Sequence, residues 1–190
     1  SNPDKASKEI VDRLEGKDSV AVKQHAIRTL PTAGAVEQMR ALFAELEAGR
    51  VVPSLQLDVY EAAQDPAFSD HPKLAAAVAS LEAVWQAEAA TDPVAPFRFT
   101  LEGGDAERGR TVLLNHPAGQ CTACHKIADG AGSNVGPNLK DIGAKKDRLY
   151  LLQGLVDPQA VVASGYGNIA LTLKDGSSVA GQFRGEKDGK

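Results

Sequence analysis

Both cysteines of this 190-residue chain fall within five residues, Cys121-Thr122-Ala123-Cys124-His125, and one of its four histidines closes the run. Random placement of two Cys and four His would give that arrangement in roughly one chain in ten thousand. Several chemistries use closely spaced thiols, and the surroundings sort them. A redox dithiol sits where a strand enters a helix of a βαβ unit, whereas this run follows a helical pattern and leads into a Gly-rich stretch, Ala128 to Ser133. A structural zinc site needs four ligands, and no Cys or His follows His125. A disulfide across so short a loop would add little stability, although the two thiols could close on each other where nothing else is attached to them.

The pattern that remains is Cys-x-x-Cys-His, the attachment sequence of a c-type haem. Thiols at this spacing reach the two vinyl groups of one porphyrin, and the neighbouring imidazole comes up beneath the iron as an axial ligand. The expectation is one covalently attached haem c, with Cys121 and Cys124 as anchors and His125 as the metal ligand. A protein of that kind is periplasmic or otherwise exported. Ser1 to Ile10 has no basic segment followed by an apolar stretch, so export would have to be directed by residues outside these 190.

The chain leading to the motif reads as helices separated by short turns. Ile10, Val11 and Leu14 mark a helix over residues 4–14, stopped by Gly16. Asp18 or Ser19 can cap a second that runs to about Leu30, before Pro31 and Gly34. Met39, Leu42, Phe43 and Leu46 form the stripe of a third over residues 36–48, a fourth covers 54–63, and Leu74, Val78, Leu81 and Trp85 face inward from a fifth over 71–90. Thr91-Asp92-Pro93 through Pro96 marks the boundary between a helical domain, 1–92, and a second domain, 97–190. Residues 18–48, a helix, a Pro-containing turn and a second amphipathic helix, resemble a HEAT-type repeat; an irregular helical bundle is the alternative.

After the boundary, helices are expected over residues 106–115 and 146–156. Ile169, Leu171 and Leu173 then alternate with polar or small residues, Asp175-Gly176 supplies a two-residue turn, and residues 179–183 alternate again, which predicts a β-hairpin. Asp188-Gly189 is a second turn signal that promises another strand, so the second domain reads as incomplete at its C-terminus.

Composition limits the partners. Residues 97–190 hold 12 Lys and Arg against 10 Asp and Glu, which leaves the acidic excess behind the net charge of −4 in the first 96. Neither part has the dense basic stripe, interleaved with aromatics, that a nucleic-acid surface needs. No apolar run is long enough to cross a bilayer, so no transmembrane segment is expected in this chain.

The order of motifs in the second domain carries a family resemblance. Residues 103–110, Gly-Gly-Asp-Ala-Glu-Arg-Gly-Arg, precede the Cys-x-x-Cys-His run. Val135-Gly136-Pro137-Asn138-Leu139, Tyr150-Leu151-Leu152, Asp157-Pro158 and Gly165-Tyr166 follow it. So arranged, they resemble the haem-binding, class I-like cytochrome c domain of planctomycetes and verrucomicrobia. There it often lies C-terminal to HEAT-like helices and a propeller similar to quinone-dependent sugar dehydrogenases. The likeness covers residues 97–190 strongly and 1–96 loosely. It implies a mainly α fold: a HEAT-like helical domain, then a cytochrome c-like domain with a β-hairpin insertion.

The same resemblance implies that the Pro137 carbonyl accepts a hydrogen bond from the His125 imidazole and that Leu139 lines the haem. It also implies a distal Met beyond the β insertion, where this chain has none. The only Met, Met39, lies in an apolar helical stripe and reads as core filler. His116, His25 and His71 are the other candidates for a distal ligand. His116 reads as a solvated helix-end residue and the other two as surface groups.

Two functions follow. The first is an electron-transfer domain, not itself an enzyme, that accepts electrons from a dehydrogenase, in the resemblance an upstream domain of the same polypeptide, and passes them to another carrier. The second is a helical protein-interaction module with a haem docking or sensing appendage. Peroxidase-like use of an open haem would need a distal acid or base that the sequence does not identify.

Overall fold

Proline and cap chemistry set the helix boundaries in the first part of the chain. The computed structural model describes residues 3–182 except Asp129 and Ala131, with side chains described from Lys8 onward. Helix α1, Pro3–Glu15, ends where Gly16 N–H donates to the Asp12 carbonyl at 3.0 Å and Lys23 Nζ donates to the Leu14 carbonyl at 2.8 Å. A cation there complements the negative end of the helix dipole. Helix α2, Val20–Thr29, is capped by Ser19, whose Oγ accepts from the Val22 N–H at 3.4 Å. The turn at 31–34, with Gly34 at φ +64°, leads to α3, Val36–Glu47. Pro53 and Pro72 open α4, Pro53–Ala63, and α5, Pro72–Glu88, in the first turn, where a missing N–H costs nothing.

The protein is mainly helical, and α4 is the hub of its first part. Helices α2, α3 and α5 all pack on α4, which buries Leu55, Val59, Ala62 and Ala63. They meet Ile27 and Leu30 of the α2 segment, Met39, Phe43 and Leu46 of α3, and Leu74 and Val78 of α5. Met39 is fully buried in this core, the filler role expected of it.

Among the described residues one buried group is charged. The Asp58 side chain, 1% exposed, takes Arg28 Nε at 2.7 Å on Oδ1. One turn earlier on each helix, Gln24 Nε2 donates to the Ser54 carbonyl at 3.4 Å. Residues four apart on α2 thus meet residues four apart on α4, because both intervals span one helical turn.

The chain separates into two units, Ser1–Asp105 and Ala106–Lys190. The division falls after residues 97–105, which the proline signals assigned to the second domain. Those residues belong to the first unit for identifiable reasons. Ala95–Thr100 is a 3-10 helix lying on α4 and α5, with the Phe99 ring stacked on Trp85 at 4.6 Å and tilted against Tyr60 at 4.8 Å. Gly103, at φ +77°, sits so close to the Ser54 carbonyl that a Cβ there would lie 2.6 Å from its oxygen. Arg28 Nη1 lies 3.8 Å from Asp105 Oδ2.

The second unit contains α6, Ala106–Asn115, the single turn α7, Cys121–Cys124, the turn α8, Ile142–Lys145, and α9, Arg148–Val156. Helix α9 starts two residues later than the periodicity suggested because Asp147 caps it, accepting from the Tyr150 N–H at 2.8 Å. An antiparallel hairpin follows, β1 Asn168–Thr172 and β2 Ser178–Gln182, with Ala170 opposite Ala180.

The connection in that hairpin is not the two-residue Asp175-Gly176 turn expected. Gly176 N–H donates to the Leu173 carbonyl at 3.0 Å and Leu173 N–H to the Ser177 carbonyl at 2.8 Å, so Lys174 and Asp175 occupy the turn centre and Gly176, at φ +84°, follows in the left-handed region. This is the three-residue hairpin loop with a glycine bulge. Phe183 and the Asp188-Gly189 turn signal lie outside the described residues.

The two units differ in their interiors. Among the described residues of the second unit no side chain is buried. Leu155 is 77% and Val135 60% exposed, and Val112, Leu149, Leu171 and Val179 are also exposed.

Candidate functional site

The Cys-x-x-Cys-His run is presented by one helical turn between two fixed loops. Ahead of it, Gln120 takes a left-handed conformation, φ 41° and ψ 33°, which is uncommon for a residue with a Cβ. His116 steadies that approach, its Nδ1 accepting from the Gly119 N–H at 3.2 Å. A solvated helix-end residue was expected at 116; the ring is exposed and also braces the turn that delivers Cys121. After the run, His125 N–H donates to the Cys121 carbonyl at 2.9 Å, closing the turn. Both cysteines are free thiols, Cys121 half-buried and Cys124 exposed.

The His125 ring is held from the far side of the loop. Its Nδ1 lies 2.8 Å from the Pro137 carbonyl oxygen. A carbonyl only accepts, so Nδ1 carries a proton, and in the neutral imidazole the lone pair is then on Nε2. The return of the chain is fixed by two backbone bonds, Gly136 N–H to the Cys124 carbonyl at 2.6 Å and Leu139 N–H to the Lys126 carbonyl at 2.8 Å. Ser133 Oγ adds a third tie, donating to the Ala123 carbonyl at 2.7 Å.

Two glycines make this packing possible. A Cβ on Gly136 would lie 2.9 Å from Cε1 and 3.1 Å from Nδ1 of His125. A Cβ on Gly132, at φ +97°, would overlap the His125 carbonyl oxygen. The sequence places Gly136 in the Gly-Pro-Asn-Leu segment and Gly132 in the Gly-rich stretch without assigning either a role, because the crowding exists only once residues 132–137 fold back over His125.

Cys121, Cys124, His125, Pro137 and Leu139 are therefore gathered in one loop system, with the Leu139 side chain half-buried. Among the described residues no three His, Cys, Asp or Glu side chains converge to chelate a metal ion directly. The donor set consists instead of two thiols and one oriented imidazole. The remaining histidines lie in the first unit: His25 is exposed on α2, and His71, just before α5, meets the Phe68 ring edge-on at 6.1 Å.

No helix among the described residues is long and apolar enough to cross a membrane. No protein-family model, no curated protein and no solved structure matches the chain.

Proposed function

We propose that the second unit is a c-type cytochrome electron-transfer domain of an exported protein, carrying one haem c through Cys121 and Cys124 with His125 as the iron ligand. The observation that carries this reading is the hydrogen bond of His125 Nδ1 to the Pro137 carbonyl, beside two free thiols. It orients an imidazole as a ligand, in the neutral tautomer that leaves Nε2 for a metal.

The interior of the second unit supports the same reading. Ordering a residue costs about 1–2 kcal/mol of backbone entropy, and a chain of this length offsets that cost by burying apolar side chains. Here no described side chain is buried, and several apolar ones, Leu155 and Val135 among them, are exposed. A flat apolar macrocycle held at the Cys121–His125 turn would give them something to pack on.

A haem bound there supplies a one-electron iron couple whose potential depends on ligands, burial and hydrogen bonds. The chain's own residues do the rest. Cys121 and Cys124 would hold the group, the Pro137 carbonyl orients the imidazole, Gly136 leaves room for the His125 ring and Gly132 for the His125 carbonyl. The electron donor on this reading is a dehydrogenase and the acceptor another redox carrier. The first unit, with its Pro-containing turn between α2 and α3, is read as a HEAT-like module that accompanies the redox domain.

Spectroelectrochemistry on protein matured in a host that attaches c-type haem tests the assignment. A reversible one-electron wave and a sharp α band on reduction are expected. A reduced spectrum with no sharp α band, together with binding of exogenous carbon monoxide, would replace the carrier by an open, ligand-binding haem.

A further inference from the structure

In the first unit, side chains of α4, α5 and the 3-10 helix at 95–100 enclose a cleft. It measures about 350 Å³ and is walled by Tyr60, Trp85, Phe97 and Phe99, with Glu82 and Gln86 at its edge. Trp85 and Phe99 stack with 12° between their planes, and Tyr60 leans on both at 5.2 and 4.8 Å. Packing of the 3-10 helix accounts for Phe99. It does not account for Phe97, which stays 42% exposed at the same cleft.

Glu82 is the other feature that internal packing leaves open. It is half-buried, its Oε1 accepts the Tyr60 hydroxyl at 2.5 Å, and among the described residues no Lys, Arg or His pairs with it. The first unit carries the chain's acidic excess. A carboxylate without its own cation, set among aromatic rings whose quadrupoles also attract positive charge, selects cations that can shed their water.

We propose that this cleft binds an organic ammonium ion, its carbon groups against Trp85 and Phe97 and its charge offset by Glu82. A strongly hydrated metal ion gains little from ring faces, and an anion meets the carboxylate. The proposal concerns the first unit alone and stands independently of the haem assignment.

Trp85 is the only tryptophan in the chain, so its emission reports on the cleft directly. The test titrates the full chain with choline chloride at constant ionic strength, against its neutral isostere 3,3-dimethyl-1-butanol, with calorimetry as a second readout. Saturable binding of choline is expected, with the neutral isostere at least about tenfold weaker, the discrimination expected of one partly desolvated cation–aromatic contact. Glu82→Gln, which keeps an acceptor for Tyr60, should weaken choline by a similar factor. Phe97→Ala changes a side chain already exposed and should weaken it without unfolding the protein. Equal binding of the two probes, no saturation with choline, or unchanged affinity in both variants overturns the proposal.

Discussion

His125 Nδ1 and the Pro137 carbonyl oxygen lie 2.8 Å apart, twelve residues distant in the chain. That bond fixes which imidazole nitrogen is available, and Gly136 is the residue that lets the proline come so close.

Gly136→Ala should therefore disturb ligation without preventing attachment. Its Cβ would press on Cε1 and Nδ1 of His125 and on the Cys124 carbonyl oxygen, whereas neither cysteine sulfur is among the atoms it meets. Haem content by intact mass should stay at one per chain, while the α band broadens or the potential shifts. An unchanged spectrum and potential would mean that the ring position does not depend on this contact.

If the proposed haem is attached, the second unit should depend on it for its order. With Cys121→Ser and Cys124→Ser together, amide hydrogens of α6 and α9 should exchange faster by orders of magnitude than in the haem-loaded protein, while those of α3 and α4 keep their protection. Equal protection of α6 and α9 in both forms would show that the unit is stable on side-chain packing alone.

Within the first unit, Arg28→Ala should cost about 3 kcal/mol, the scale for removing one partner of a buried ion pair. Asp58 is 1% and Arg28 30% exposed, so the carboxylate would be left uncompensated. Arg28→Met combined with Asp58→Leu should recover most of the loss. Urea midpoints for the first unit check this; a loss below about 0.5 kcal/mol would put the pair in the class of surface salt bridges.

Tyr60 gives a pH dependence with a definite sign. Burial, and then the Glu82 carboxylate, push its phenol up from 10 to about 12. The folded form thus holds this proton more tightly than the unfolded chain, so the stabilisation is complete below pH 10 and lost as pH rises through about 12. Tyr60→Phe should be less stable than the parent by about 1 kcal/mol below pH 10, the scale of one hydrogen bond. The difference should close between pH 10 and 12 in parallel urea titrations. A pH-independent difference would show that the hydroxyl proton is not coupled to folding.

Much of this architecture could be read from apolar spacing and caps, and the exceptions share a cause. Periodicity located α1 to α5 because each turns apolar residues of its own into the core of the first unit. It missed Asp58, because an Asp on a helix that also carries Gln56 and Glu61 reads as solvent-facing until Arg28, thirty residues earlier, is brought beside it. Pro93 and Pro96 suggested a linker where Phe99 instead stacks on Trp85, and a Pro-rich segment carries no local sign of a ring partner. Asp175-Gly176 gave the hairpin but not its loop, since the same dipeptide fits two turn types that place Gly176 differently. At the haem-type motif the thiols and imidazole are contiguous and so visible in the sequence. The crowding at Gly132 and Gly136 and the brace from His116 to Gly119 exist only in three dimensions.

The intact mass of the protein, exported by a host that attaches c-type haem, bears most directly on the whole account. A single increment of one haem over the polypeptide, with no thiol left to titrate and a Soret band in the same sample, is the result expected. A mass equal to that of the bare polypeptide, with Cys121 and Cys124 both titrating as thiols, would contradict it.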